Sequence, residues 1–384
     1  MTLGSPMGRQ VDLTLLQKLV QINWLLIVLI SLIACVGFAM LYSAANGHID
    51  PWASRQMTRC GAGLVLMLLI ALIDIRAWLR HAYLIYAAAL VLLIAVEVIG
   101  VVGMGAQRWV DLGLFQLQPS EVMKIALVLA LARFYHGTPL EEVGRIRWLV
   151  VPVALILVPV ALVMRQPDLG TAILLLATAT AILLLAGVRL WKFAVLFGTI
   201  LAAIPIAWRF MLHGYQKDRV LTYLNPERDP LGAGYHIMQS KIALGSGGLF
   251  GKGFMQGTQS HLAFLPERQT DFIFTMLAEE FGLIGCLGLL SLYILVIVYG
   301  YAIALRCRNQ FGRLLAAGMI TTFFLYVFIN MAMVMGLIPV VGVPLPLVSY
   351  GGTSMMSLLI GFGLIISVHV HRDVAIPRRP GYGS

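Results

Sequence analysis

Residues 22–44 read INWLLIVLISLIACVGFAMLYSA, a run that contains no Asp, Glu, Lys or Arg. An α-helix rises about 1.5 Å per residue and a bilayer's hydrocarbon core is about 30 Å thick, so this run is long enough to cross it. It is also longer than a signal-peptide core, and no small-residue cleavage site of the A-x-A kind follows at the usual place, so it is read as a helix of the mature chain.

Working outward from it, comparable runs recur near 60–75, 81–101, 117–135, 148–165, 169–187, 191–211, 271–303, 314–337 and 346–370. With 60% hydrophobic and 11% charged residues and a mean hydropathy of +0.90, a soluble globular domain is excluded. The expected fold is all-α: a polytopic integral membrane protein of about ten transmembrane helices, with residues 1–384 forming a single transmembrane domain. Short tails at 1–21 and 371–384 flank the bundle, and a long loop, about 211–270, joins helices 7 and 8.

Placing alternate loops on opposite sides puts Arg9, Lys18, Arg76, Arg80, Arg133, Arg145, Arg147, Arg189, Lys192, Arg306, Arg308, Arg313, Arg372, Arg378 and Arg379 on one side, against Arg55, Arg59, Arg108 and Arg165 in the short loops of the other. By the positive-inside rule both termini are cytoplasmic and the long loop is extracytoplasmic, as expected of a multi-pass protein of an inner (plasma) membrane. The net charge of +10 follows from this topology. The cations form no basic stripe or binding module, so no nucleic-acid partner is expected, and membrane lipid is the surrounding surface. The long loop has a modest excess of cations that suits an anionic ligand, although a solvated loop near anionic lipid reads the same way.

The four cysteines include no outer-loop pair, so no structural disulfide is expected, and no Cys and His spacing suggests zinc. Ionisable residues within helices are costly and therefore informative. Here they gather toward the outer ends: Glu97, Glu121 and Lys124, Asp168, Asp271, Glu279 and Glu280. A secondary transporter would place coupling charges nearer the midplane, often beside broken helices.

In QPSEVMK, Pro119 suits a first helical turn, and Glu121 and Lys124 at i, i+3 share a face. They read equally as an internal ion pair or as ligand contacts. In RQPDLGTA (165–172), Asp168 reads chiefly as a helix cap. The glycine-rich stretch 231–257, with Lys252 inside it, has backbone suited to a phosphate, or is simply a mobile outer loop; it is not a Walker motif. In FLPERQTDFIFTMLAEE (264–280), Asp271 is either an N-cap or a partly desolvated carboxylate suited to general-base work, with Arg268 beside it. The prolines and small residues of 339–354 read as packing.

These runs, together with GAQRWVDLG, NPERDPLGAGYHIMQSKIALGSGGLFGKG and PLVSYGGTS, resemble in order and spacing the shape, elongation, division and sporulation family from about Trp24 to Arg372. TQSHLAFLPER and IPVVGVPLPLVSYGG are similar to its rod-shape branch more than to its division branch. The resemblance implies a ten-helix peptidoglycan glycosyltransferase that uses lipid II and works with a class B penicillin-binding protein. It matches Asp271 to the aspartate of an essential loop motif, and Glu121 and Lys124 to a polar pair of the fourth helix. Gln269 departs from the family, where His commonly precedes Thr-Asp, which argues against a compulsory acid/base role there.

On that reading Asp271 is the general base for an inverting transfer, while Lys124, Arg108, Lys252 or a divalent cation stabilises the leaving pyrophosphate. Glu121, Lys124, Arg108, Lys252, Arg268 and Asp168 form the substrate-binding set, with metal ligands unassigned and no cofactor established beyond that optional cation. The competing readings are a lipid-linked precursor flippase, a division-specific polymerase of the same family, and a non-catalytic scaffold for a partner's transmembrane helix.

Overall fold

The computed structural model describes residues 14–377 except 104–105, 112, 114–115, 140, 211–213, 215–216, 218–220, 222, 224, 226–232 and 262–266. Arg219, Arg228 and the Phe264–Pro266 part of the outer loop, and residues 1–13 and 378–384 of the tails, therefore lie outside the described residues.

The chain is helical throughout its core. In order, α1 spans Leu15–Gln21, α2 Trp24–Ala44, α3 Trp52–Leu72, α4 Ile75–Ile99, α5 Pro119–Gly137, α6 Ile146–Arg165, α7 Leu169–Ala186 and α8 Leu190–Phe210. After the long loop's α9 (Ala233–Ser246) and α10 (Thr258–His261) come α11 (Ile273–Arg306), α12 (Gln310–Val334) and α13 (Gly352–Val370). Among the described residues eight helices are long and apolar enough to cross a membrane: α2, α3, α4, α6, α7, α11, α12 and α13. Helices also stand at the two remaining expected spans, α5 and α8. The protein is a multi-pass, all-α membrane protein.

Three short strands are an addition to the expected architecture. Here β1 (Val101–Gly103), β2 (Ala106–Asp111) and β3 (Gln116–Leu117) form an antiparallel sheet in the order β1-β2-β3 between α4 and α5. A further difference is that α3 begins at Trp52 instead of near residue 60. Its first two turns hold Arg55, Gln56 and Arg59, which depress hydropathy, yet Gln56 is fully buried. Its amide donates to the Ser349 carbonyl at 2.9 Å, and Arg59 lies over the Tyr350 ring. Polarity there marks a helix–loop contact, not the end of the helix.

The bundle is organised around α12, which is buried along almost its whole length. α3 packs closely on α13 because glycines remove the Cβ at the crossing: one added to Gly63 would run into Leu359, and one added to Gly363 would stand 2.8 Å from the Met67 carbonyl oxygen. Small residues serve this purpose in lipid, where close packing rather than water exclusion holds helices together.

The helix α11 is broken at Gly282, whose φ of 64° and ψ of −159° no helix contains. The break leaves amides and carbonyls without helical partners, which costs several kcal/mol per group in an apolar surround. The glycine-rich turn 247–253 supplies those partners. Leu283 N donates to Gly248 O and Ile284 N to Leu249 O, while Lys252 N donates to Glu279 O and Gly253 N to Glu280 O, at 3.0–3.2 Å. The glycines let the two backbones meet: a Cβ on Gly247 would overlap the Ala278 carbonyl, and one on Gly251 that of Glu280.

The direction of α11 relative to α12 changes across this break. Beyond it, Tyr293 meets the Phe323 ring and Tyr301 bonds Thr321, the order of an antiparallel pair. Before it, Asn330 bonds the Asp271 backbone, and Val334 is joined to Thr275 through Ser240, so here the two chains run the same way. Asp271 is therefore set beside α12 one turn short of that helix's end.

Candidate functional site

Asp271 lies in the turn before α11 and is half-buried. The capping alternative does not hold: the N-cap of α11 is Phe272, with no side-chain cap, and the Thr270 hydroxyl donates to Glu267. Among the described residues nothing donates a hydrogen bond to the Asp271 carboxylate. Burial, and secondarily the Glu267 charge, raise its pKa from the ordinary 3.8 to about 6, because both disfavour the ionised form. Gly342, at φ 71°, faces Oδ2, and even an added Cβ there would stay 3.5 Å away.

The backbone leading to Asp271 is held at three successive carbonyls. Gln269 O accepts from Tyr350 N at 2.8 Å, Thr270 O from Ser349 Oγ at 2.5 Å, and Asp271 O from Asn330 Nδ2 at 3.0 Å. Asn330 is fully buried and also donates to Val343 O at 2.7 Å. The PLVSYGG connection thus does more than pack: it fixes the turn from which the carboxylate projects. Sequence reasoning did not single out Asn330, although a lone Asn inside the apolar run of α12 is a signal of the kind that membrane depth makes costly.

One helical turn from Asn330, Tyr326 reaches the second cluster. Glu121 and Lys124 are both buried and form an ion pair of 2.8 Å. Tyr326 donates to both Glu121 oxygens at 2.9 and 3.0 Å, Ser357 donates to Oε2 at 2.7 Å, and Lys124 also bonds the Tyr326 hydroxyl. This is the internal ion-pair alternative, with the partners that make two charges tolerable. The cluster lines one end of a cavity between α5, α12 and α13 whose empty volume, open mouth included, is about 370 Å³.

The other expected residues are distributed around these two clusters. Asp168 caps α7 through Thr171 N at 3.1 Å and Thr171 Oγ1 at 2.9 Å. Arg108, on β2, donates to the Gln166 and Pro167 carbonyls just before it. That turn packs through Gly170 against Val341, beside the Gly342 that faces Asp271. Arg268 is half-buried in the Asp271 turn, and burial lowers its pKa. Lys252 is engaged elsewhere: its amine meets Glu279 and Thr258 at 2.8 Å each, two turns, or about 12 Å, along α11 from Asp271. Glu279 itself is fully buried and also accepts from Gln259 N at 2.9 Å. Among the described residues no three His, Cys, Asp or Glu side chains converge as a metal centre.

Comparison with known proteins agrees with the fold. The family model FTSW_RODA_SPOVE, described as cell cycle protein, matches residues 17–374. The chain is 47% identical to the peptidoglycan glycosyltransferase MrdB of Escherichia coli over 354 residues, 91% of this chain and 94% of that one. A chain from a peptidoglycan synthase complex, in a structure concerned with the coordination of polymerization and crosslinking, superposes with a TM-score of 0.80 at 35% identity, covering 91% of this chain and 98% of that one. The crystal structure of the Thermus thermophilus rod shape determining protein RodA gives a TM-score of 0.70 at 32% identity, with 92% and 98% covered.

Proposed function

The chain belongs to the FtsW, RodA and SpoVE family of cell cycle proteins, and from that premise we propose how its residues carry out the reaction of a peptidoglycan glycosyltransferase. It polymerises glycan strands from lipid II in cell-wall elongation and rod-shape maintenance. Asp271 is the general base. It takes the proton of the acceptor sugar hydroxyl as that oxygen attacks the donor's anomeric carbon. The bond from that carbon to the pyrophosphate oxygen breaks in the same displacement, its electron pair leaves with the lipid pyrophosphate, and the anomeric configuration inverts.

The observation that carries this reading is the state of Asp271: a carboxylate with no donor among the described residues, a pKa raised to about 6, and a backbone held at three carbonyls. A base is most effective when its pKa lies near the working pH and its position is fixed. A carboxylate serving only as a cap or an ion-pair partner would show donors, as Glu121 and Asp168 do. Arg268 lies in the Asp271 turn, and Arg108 and Asp168 hold the 166–171 turn that packs through Gly170 against Val341, beside Gly342; these three are the proposed substrate-binding groups, while Glu121 and Lys124 shape the bundle beneath. The face bearing Asp271 is extracytoplasmic and both termini are cytoplasmic, supported by the placement of Lys and Arg. A class B penicillin-binding protein is the partner, supported by the likeness to a chain of a complex that joins polymerization to crosslinking.

The test is polymerisation of purified lipid II by the chain with its penicillin-binding partner, comparing wild type with Asp271→Asn while monitoring fold and partner binding. Glycan from wild type and none from a folded, partner-binding variant is expected. Equal polymerisation by both would end the general-base assignment, and accumulation of a covalent glycosyl-enzyme would end the single displacement.

A further inference from the structure

The turn that fills the break in α11 ends in Leu249 and Phe250, which are 61% and 78% exposed. Its neighbours on α11, Leu283 and Ile284, are also exposed, on a helix that crosses the membrane. Because Ile284 N bonds Leu249 O at 3.2 Å, the four side chains form one apolar surface, continuous from a membrane span onto a loop.

The height of that surface can be read along the helix. From Ile284 to the basic end of α11 at Arg306 is about 33 Å at about 1.5 Å per residue, and a hydrocarbon core is about 30 Å thick. With Arg306, Arg308 and Arg313 at one boundary, Ile284 and the turn bonded to it fall at the other. Irregular backbone is tolerated at that depth only if its polar groups are satisfied within the protein. Here the carbonyls of Gly247, Gly248 and Leu249 and the amides of Gly251, Lys252 and Gly253 all have backbone partners.

We infer that Leu249 and Phe250 insert into the hydrocarbon boundary of the leaflet on the Asp271 side, so that the 247–253 turn is a membrane anchor for the long loop. The occupant of this apolar tip is phospholipid. Lys252, one residue past Gly251, is held back from the lipid by Glu279, and Phe254 beyond it turns toward the rings of Tyr42 and Phe281.

The experiment places a benzophenone amino acid at position 249 or 250 of the full chain, reconstituted in nanodiscs of phosphatidylethanolamine and phosphatidylglycerol. Position 284 serves as the lipid-facing reference and position 50, on the exposed α2–α3 turn, as the aqueous one. After irradiation, intact mass and peptide mapping should show a gain of one phospholipid at 249 and 250, in a yield comparable with 284 and well above 50. Lipid adducts at 284 with none at 249 and 250 would overturn the inference, as would crosslinks from both tip positions to the protein's own chain. Both are exposed sites, so an adduct at either one that folds supports the insertion.

Discussion

Tyr326 and Asn330 lie one turn apart on α12, and they serve different clusters: the Tyr326 hydroxyl donates to the Glu121 carboxylate and the Asn330 amide to the backbone of Asp271. A single buried helix face therefore sets the spacing between the internal ion pair and the proposed base. Because side chains four apart on a helix stand one above the other, neither cluster shifts along this face without disturbing the other.

The pH dependence follows from the sign of the Asp271 shift. A base works when ionised, so polymerisation is half-maximal near pH 6, approaches its full rate about a unit above that and falls about tenfold per unit well below it, as the carboxyl takes up its proton. Glu267→Gln removes a like charge that raises this pKa and should move the acid limb to lower pH. Initial rates of lipid II polymerisation between pH 5 and 8 measure both effects. An acid limb near pH 4 in the wild type would contradict the desolvated carboxylate.

Asn330→Ala should lower kcat by about 10- to 100-fold with KM for lipid II nearly unchanged, since it loosens the placement of Asp271 without touching a binding group. Ser349→Ala should act in the same direction, whereas Ser349→Thr keeps the hydroxyl and most of the rate. Each alanine also leaves two backbone groups unpaired, the Asp271 and Val343 carbonyls for Asn330 and the Thr270 carbonyl and Leu345 amide for Ser349, at about 1–3 kcal/mol per buried group, so rates must be normalised to folded protein. A per-molecule kcat equal to wild type for both alanine variants would show that the turn holds itself.

Lys124→Met strands the Glu121 carboxylate in the bundle, at a cost of about 3–5 kcal/mol, whereas the double variant Glu121→Gln/Lys124→Met should recover much of the loss. Thermal unfolding in detergent reports the coupling. Strict additivity of the two single effects would mean that the pair does not act as a unit.

The glycine-rich turn makes a graded prediction. Gly247→Ala and Gly251→Ala drive a methyl group into backbone carbonyls and should abolish folded protein. Gly248→Ala meets only a left-handed φ of 54° in open space, which costs about 1 kcal/mol. Gly245→Ala, inside α9 with nothing near it, should be neutral or slightly stabilising. Yield of monodisperse protein by size-exclusion chromatography orders the four, and equal yields would mean that the turn does not dock on α11.

Hydropathy located every expected span, because burial of apolar length in lipid is a property of composition alone. It misplaced the start of α3, since Gln56 and Arg59 are polar for the sake of Ser349 and Tyr350. The break in α11 was illegible: Gly282 follows Glu279 and Glu280 and is one of three glycines, with Gly285 and Gly288, at the start of a long apolar run, and only the turn at 247–253 shows why the helix parts at the first of them. The glycines of that turn read in the sequence as backbone suited to a phosphate or as a mobile loop, and the structure adds a packing role, since Gly247 and Gly251 let two backbones touch. Within the site, Asp271, Glu121 and Lys124 were legible as ionisable groups in apolar surroundings. Tyr326, Ser349 and Ser357 were not, because hydroxyls are common in such helices and their partners are distant in sequence.

The three donors that hold the carbonyls of 269–271 come from Asn330, Ser349 and Tyr350, all made after the turn they hold. During synthesis the aspartate emerges long before anything fixes its position, and the last of its supports is added only as the final span begins to form. A chain that ends between residues 271 and 350 would carry Asp271 without the full set of donors that holds its turn, so with Asp271 as the proposed base such incomplete products should not extend glycan.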